Sequence, residues 1–261
     1  MKRYYMDTYG CQMNVADSEL VSGLMEKSGY SRVESESEAD AIFLNTCAIR
    51  EHAEEKIHSR LGMLRKLKDG RPETIIGILG CMAQHVKDDI LEHKPYVDFV
   101  LGPDSYRRLP TLLQRQKETA NSIVDTRLSR FEVYDNLYPS RNEGINAWLS
   151  IMRGCDKFCT FCIVPFTRGR ERSRTIASIV EEVEQAVVQG FIEITLLGQN
   201  VNSFRSDGSR FPELLDAVSE VPGVERIRFT SPHPKDVDDD MLLVMRDKPN
   251  ICNSVHLPLQ A

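Results

Sequence analysis

Cys155-Asp156-Lys157-Phe158-Cys159-Thr160-Phe161-Cys162 sets three thiols in an eight-residue loop, in the order Cys-x3-Cys-x2-Cys. Thiolates so spaced suit a cubane iron–sulfur cluster with three irons held and the fourth left open, whereas zinc favours Cys-x2-Cys pairs that add up to four ligands. The loop follows an apolar strand pattern at 147–152. Beyond it the chain alternates: a helix over 175–189, a strand over 193–197, a helix over 212–218, a strand over 226–230, a helix over 237–246 and a last strand over 254–257. Four strands and three helices of this kind predict part of a parallel α/β barrel, with the cysteine loop at the C-terminal end of its first strand, where such barrels carry their chemistry. A closed barrel needs more units, so residues 147–261 are expected to form a domain that is incomplete at its C-terminal end.

Upstream the same alternation occupies the first hundred residues, with strands at 3–9, 41–46, 74–80 and 97–101 and helices at 16–27, 50–67, 86–92 and around 105–117. Apolar strands without alternation predict a parallel sheet covered on both faces. Cys11, Cys47 and Cys81 each follow a strand directly, in Tyr9-Gly10-Cys11, Asn45-Thr46-Cys47 and Leu79-Gly80-Cys81. The C-terminal ends of parallel strands share one edge, so topology alone brings these thiols together. Any one of them reads as a small buried hydrophobe; three in one register read as a metal or cluster site. Three thiolates leave a tetrahedral zinc one ligand short, with His85 as a candidate fourth, or leave one iron of a cubane open. Glycines at 10 and 80 favour the close approach of something larger than a single ion. Cys252, just ahead of the last strand, reads as a core thiol. Periodicity fails from 118 to 146, which divides the chain into a first domain over 1–120, a linker over 121–146 and the second domain over 147–261.

At 261 residues, 41% hydrophobic and 28% charged, the composition is that of a soluble globular protein of one large or two ordinary domains. No apolar run approaches the roughly 18 residues of a membrane span, and the acidic Asp7 stands where a secretory leader would be apolar, so the expected location is cytoplasmic. In that reducing compartment seven cysteines read as ligands before disulfides. A net charge of −6, from 33 basic and 39 acidic residues, argues against a nonspecific nucleic-acid coat and leaves room for a local basic site.

The cysteine loop, with the aromatic Phe161 before its last cysteine, resembles the signature of the radical S-adenosylmethionine superfamily. Preceded by an α/β domain with three strand-end cysteines, it resembles the radical S-adenosylmethionine methylthiotransferases over essentially the whole chain. Tyr9-Gly10-Cys11-Gln12-Met13-Asn14, Leu44-Asn45-Thr46-Cys47-Ala48-Ile49-Arg50-Glu51, Leu79-Gly80-Cys81-Met82-Ala83-Gln84 and the run from Cys162 to Arg174 are similar to the branch that modifies tRNA. The branch acting on a ribosomal protein aspartate typically has Cys-Pro-Lys-Asn at the first cysteine, and the branch acting on threonylcarbamoyl-adenosine has Lys-Val-Asn there. The resemblance implies two [4Fe–4S] clusters, one on Cys155, Cys159 and Cys162 that cleaves S-adenosylmethionine to a radical, and an auxiliary one on Cys11, Cys47 and Cys81 that supplies sulfur. It implies methylthiolation at carbon 2 of N(6)-dimethylallyladenosine, at tRNA position 37 beside the anticodon. An inert C–H bond there explains the need for a radical, since no positioned base removes such a proton at neutral pH. Also implied are an electron donor such as flavodoxin or ferredoxin, a monomer, and no membrane partner. Family members continue through the rest of the barrel into a small tRNA-gripping β-domain, whereas residues 256–261 match the start of a family motif and stop inside it.

Weaker candidates lie at the other strand ends. Gln199 and Asn200, past the second barrel strand, offer neutral donors and acceptors to the ribose or methionine part of the cofactor, or simply cap their loop. His233, in Ser231-Pro232-His233-Pro234, holds the equivalent place after the third strand. Arg168, Arg170, Arg172 and Arg174 give the segment 153–174 six basic residues against two acidic ones. They read as RNA phosphate contacts, as a hold on the cofactor carboxylate, or as a solvated loop with internal salt bridges. His52 and His58 lie in a charged helix and read as solvated. No phosphate loop, nucleophile elbow or His-Glu-x-x-His motif occurs. A non-catalytic iron–sulfur or zinc-binding module remains the reading from a different class.

Overall fold

The computed structural model describes residues 2–47, 51–87, 89–141 and 144–260. The Ala48-Ile49-Arg50 part of the second cysteine motif, the first residue of the helix expected from 50, Asn142 of the linker, the final Ala261 and the His52 side chain lie outside the described residues. The chain forms two compact units, the first comprising Met1–Ser129, Leu137–Ser140 and Phe161–Arg168, and the second comprising Arg130–Asn136, Arg141–Thr160 and Gly169–Ala261.

In the first unit the elements are β1 (Lys2–Tyr9), α1 (Gln12–Lys27), β2 (Tyr30–Arg32), β3 (Ala41–Thr46), α2 (Glu51–Gly70), β4 (Ile75–Gly80), α3 (Cys81–Val86), α4 (Asp89–His93), β5 (Phe99–Leu101), α5 (Leu109–Thr119) and β6 (Ile123–Asp125). All six strands are parallel, in the order β2-β1-β3-β4-β5-β6. The central strands β3 and β4, Ala-Ile-Phe-Leu-Asn-Thr and Ile-Ile-Gly-Ile-Leu-Gly, are buried at every position, as continuous apolar runs in a doubly covered sheet should be. The register pairs Tyr9 with Thr46 and Thr46 with Gly80, so the three cysteine-bearing strand ends are level.

Three expectations for this unit are corrected. Residues 123–125, assigned to a linker, are the sixth strand, paired to β5; three residues are too short to show a period. The same holds for the unanticipated β2. One helix over 86–92 is replaced by α3 and α4 on either side of Lys87, whose φ of 44° breaks the helix.

The second unit contains β7 (Asn146–Ser150), β8 (Met152–Arg153), β9 (Arg172–Ser173), α7 (Ile176–Val188), β10 (Glu193–Leu197), β11 (Arg205–Ser206), β12 (Ser209–Arg210), α8 (Phe211–Ser219), β13 (Arg226–Phe229) and α9 (Asp239–Asp247). The short helix α6 (Val164–Thr167) belongs to the first unit. Strands β13, β10 and β7 form a parallel sheet in that order. Its core packs the apolar faces of α7, α8 and α9, with Phe211 edge-on to Phe229 at 5.2 Å. Among the described residues the expected fourth strand over 254–257 does not form. Ile251 makes one parallel bridge to Ile227, and the Ser254 amide then turns back to the Cys252 carbonyl at 2.8 Å. Cys252 is accordingly half-buried rather than a core thiol. No helix among the described residues is long and apolar enough to cross a membrane.

Candidate functional site

Cys11 caps the N-terminus of α1, where its sulfur faces the Asn14 backbone amide, Cys47 leaves β3 with its amide bonded to the Tyr9 carbonyl at 3.0 Å, and Cys81 opens α3. Cys47 and Cys81 are buried and Cys11 is half-buried. A hydrogen bond with Cys47 lowers the Cys11 thiol below its ordinary range, against the effect of burial, with help from the Asn14 and Met13 amides and the positive charge of Arg168. A thiol held so readily as thiolate is the form that ligates iron. The chemistry of this donor set therefore fits a thiolate-bound cluster.

A buried amide pair ties the start of α1 to the end of β3. Asn14 Nδ2 donates to Asn45 Oδ1 at 3.2 Å, and Asn45 Nδ2 donates to the Asn14 carbonyl at 3.0 Å and to Ser18 Oγ at 2.9 Å. Gly80 has φ +93°, and a Cβ there would stand 2.4 Å from Asn45 Oδ1 and 2.7 Å from the Thr46 carbonyl. The protein's own Asn45 and Thr46 approach Gly80 closely, and Asn14 and Cys47 approach Gly10. Asn14 and Asn45 were not singled out from sequence; an amide three residues after a helix-capping cysteine is the signal that could have found the first.

The Cys155–Cys162 loop follows β8, and the boundary between the two units passes inside it. Cys155 is buried and its amide bonds to the Gly169 carbonyl at 3.1 Å, while Cys159 and Cys162 are half-buried. Gly154, at φ +78°, leaves no room for a side chain: a Cβ would lie 2.0 Å from the Arg170 carbonyl. Its amide donates to Gln199 Oε1 at 2.6 Å, so the predicted Gln199 anchors the loop from the end of β10. Asn200 is buried and donates to Asp236 Oδ2 at 2.7 Å, and Lys157 pairs with the other oxygen of Asp236 at 2.7 Å. Although burial raises the Asp236 carboxyl, Asn200 and Lys157 bring it below its ordinary range. Asn200 Oδ1 is buried with no hydrogen-bond partner among the described residues. That orphaned acceptor fits an incoming N–H or O–H donor.

His233 is half-buried, and its Nδ1 accepts the Lys235 amide at 3.2 Å while Asn202 clasps its backbone at 2.7 and 3.0 Å. Phe161 is 71% exposed. His85 is exposed too, and among the described residues no three His, Cys, Asp or Glu side chains are placed to share one ion. A cubane places its thiolates on three separate irons.

The arginine reading needs correction. Arg168, Arg172 and Arg174 are buried, and each has partners inside the protein. Arg168 pairs with Asp17 at 2.7 Å. Arg172 donates to the Glu132 and Arg170 carbonyls at 3.0 Å. Arg174 pairs with Asp135 and Glu182, and Glu182 also takes Arg141. Charge counting within 153–174 missed carboxylates supplied from outside the segment. Only Arg170 of the four is exposed, paired with Asp156 at 2.5 Å and lying over the Phe158 ring at 5.8 Å.

Residues 3–102 match the uncharacterized protein family UPF0004, and residues 149–261 match the radical SAM superfamily. The chain is 50% identical over 268 residues to a tRNA-2-methylthio-N(6)-dimethylallyladenosine synthase of Bacteroides fragilis, and 48% identical over 261 residues to one of Chloroherpeton thalassium. The alignments cover 100% and 99% of this chain and 58% of each of those proteins. The chain thus spans somewhat over half the length of the relatives it matches. Its fold is similar to that of the radical S-adenosylmethionine methyltransferase TsrM of Kitasatospora setae, in a structure with tryptophan and a SAM analog bound. The TM-score is 0.65 at 13% identity, covering 96% of this chain and 58% of that one.

Proposed function

We propose that the chain, whose residues 3–102 match the UPF0004 family and whose residues 149–261 match the radical SAM superfamily, is the cluster-bearing part of a tRNA methylthiotransferase. The reaction is methylthiolation of carbon 2 of N(6)-dimethylallyladenosine in tRNA. The names of its relatives supply the substrate, and one observation carries the chemistry: two separate sets of three cysteines, one at the level C-terminal strand ends of the first unit's parallel sheet and one in the loop that follows β8.

Cys155, Cys159 and Cys162 would hold one [4Fe–4S] cluster and Cys11, Cys47 and Cys81 another. When bound, these clusters with S-adenosylmethionine supply one-electron cleavage of a carbon–sulfur bond and a source of sulfur. The chain's own residues then orient and enclose. Gln199 fixes the Gly154 amide and with it the start of the cysteine loop. Asn200 presents its orphaned Oδ1 to a donor group of the cofactor, and its Nδ2 is locked on Asp236. Asn14 and Asn45 tie the helix capped by Cys11 to the strand that leads into Cys47 without contributing a ligand. A one-electron donor of the flavodoxin or ferredoxin class, a cytoplasmic setting and a monomer complete the proposal.

The test is turnover by anaerobically reconstituted protein with S-adenosylmethionine, a reductant and tRNA with or without the isopentenyl group. The proposal expects the 2-methylthio product only with isopentenylated tRNA. Product on threonylcarbamoyl-adenosine tRNA or on a ribosomal peptide instead would move the assignment to another branch.

A further inference from the structure

We propose that Arg168 is a positioning residue of the first-unit cluster, donating Nε–H to the sulfur of Cys81 and so setting that cluster's reduction potential; the inference rests on the reading that Cys11, Cys47 and Cys81 hold a cluster. Arg168 Nε lies 3.1 Å from Cys81 Sγ, and Nη2 lies 2.7 Å from Asp17 Oδ2. Both charged residues are buried, Arg168 at 3% exposure and Asp17 at 1%. A purely structural arginine–aspartate pair commonly takes the bidentate arrangement, with two parallel N–H···O bonds. Here the fork is divided, one arm on the carboxylate and one on a cysteine sulfur.

The division matters because burial makes an isolated guanidinium costly, and this one is stabilised by two separate acceptors. Asp17 lies on α1, the helix that Cys11 caps, and Cys81 opens α3. Arg168 therefore joins the starts of two cysteine-bearing elements, six residues beyond Cys162 in the chain. Nothing in the sequence marked it apart from its arginine neighbours.

Reduction of a cluster adds one negative charge, spread partly onto the cysteine sulfurs. A hydrogen bond from a cation to one of those sulfurs stabilises the reduced form and raises the potential, which is one of the protein's established means of tuning such clusters. The expected direction is thus fixed: weakening the Arg168 contact shifts the midpoint to more negative values.

The experiment uses the Cys155→Ala, Cys159→Ala, Cys162→Ala protein, in which the first-unit cysteines remain. About four irons per chain is the expected content; an absence of iron overturns the cluster reading and this inference together. With iron present, the midpoint is read by EPR-monitored redox titration in Arg168, Arg168→Lys and Arg168→Gln forms. The expected order is progressively more negative from Arg to Lys to Gln, and three coincident midpoints would overturn the inference while leaving the cluster reading intact. Should Arg168→Gln lose its iron, the same triple-alanine protein with Arg168 in place decides. Uniform ¹⁵N-arginine labelling should give a nitrogen coupling to the reduced cluster in HYSCORE spectra that disappears in Arg168→Lys, and no coupling contradicts the contact.

Discussion

The two cysteine sets are built by opposite means. Cys155, Cys159 and Cys162 are neighbours in sequence, so an eight-residue loop would bring their thiols together in almost any fold that tolerated it. The surrounding residues only anchor that loop, through Gln199, Asp236 and the tight approach at Gly154. Cys11, Cys47 and Cys81 come from three strands and meet only because the parallel register levels their ends. Their setting is accordingly elaborate, with a capped helix, a buried amide pair and a buried arginine on one sulfur. A site assembled by topology depends on the packing beneath it. A site assembled by spacing depends on a few loop contacts.

The comparison is broken most severely by the buried ion pairs. Asp17→Asn in the first unit and Glu182→Gln in the second each take a carboxylate away from a buried guanidinium, and each should cost about 3–5 kcal/mol in urea unfolding. Asp17→Asn should also lower the iron bound by the first set, whereas Glu182→Gln should leave the iron per folded chain unchanged.

Glycine substitutions separate the two regions more cleanly. Gly80→Ala and Gly154→Ala place a Cβ against backbone oxygens at positive φ, and each should cost about 1–3 kcal/mol. Gly80→Ala should deplete iron from the first set alone and Gly154→Ala from the second alone, as read by iron content in backgrounds lacking the other three cysteines.

Asn45→Ala removes bonds to Asn14 and Ser18 in a buried site and should cost about 1–3 kcal/mol of stability. Gln199→Ala removes one acceptor from a half-buried loop and should cost about 1 kcal/mol. Arg170→Ala should not move the melting temperature, because its pair with Asp156 is exposed. If it meets tRNA phosphate, the same substitution should reduce the salt dependence of tRNA binding by about one counterion.

What the sequence disclosed follows the same division. The Cys-x3-Cys-x2-Cys loop could be read directly, because its information is local. The parallel α/β class of both halves followed from apolar runs such as 41–46 and 193–197, which the structure places in strands with those bounds. The three-residue strands β2 and β6 carried too little period to be seen, and 254–257 had the composition of a strand without a neighbour to pair with. The arginines were the least legible. The partners that Arg168, Arg172 and Arg174 find in burial, Asp17, Glu132, Asp135 and Glu182, all lie outside the 153–174 segment that suggested a basic surface. Local charge reported composition, while partnership required the fold.

The account stands on two independent clusters, and iron and sulfide analysis of three anaerobically reconstituted proteins tests it most directly. The unsubstituted protein should hold about eight irons per chain. The Cys11→Ala, Cys47→Ala, Cys81→Ala protein and the Cys155→Ala, Cys159→Ala, Cys162→Ala protein should each hold about four. About four irons in the unsubstituted protein, zinc in place of iron, or the loss of all iron with either set removed would contradict it.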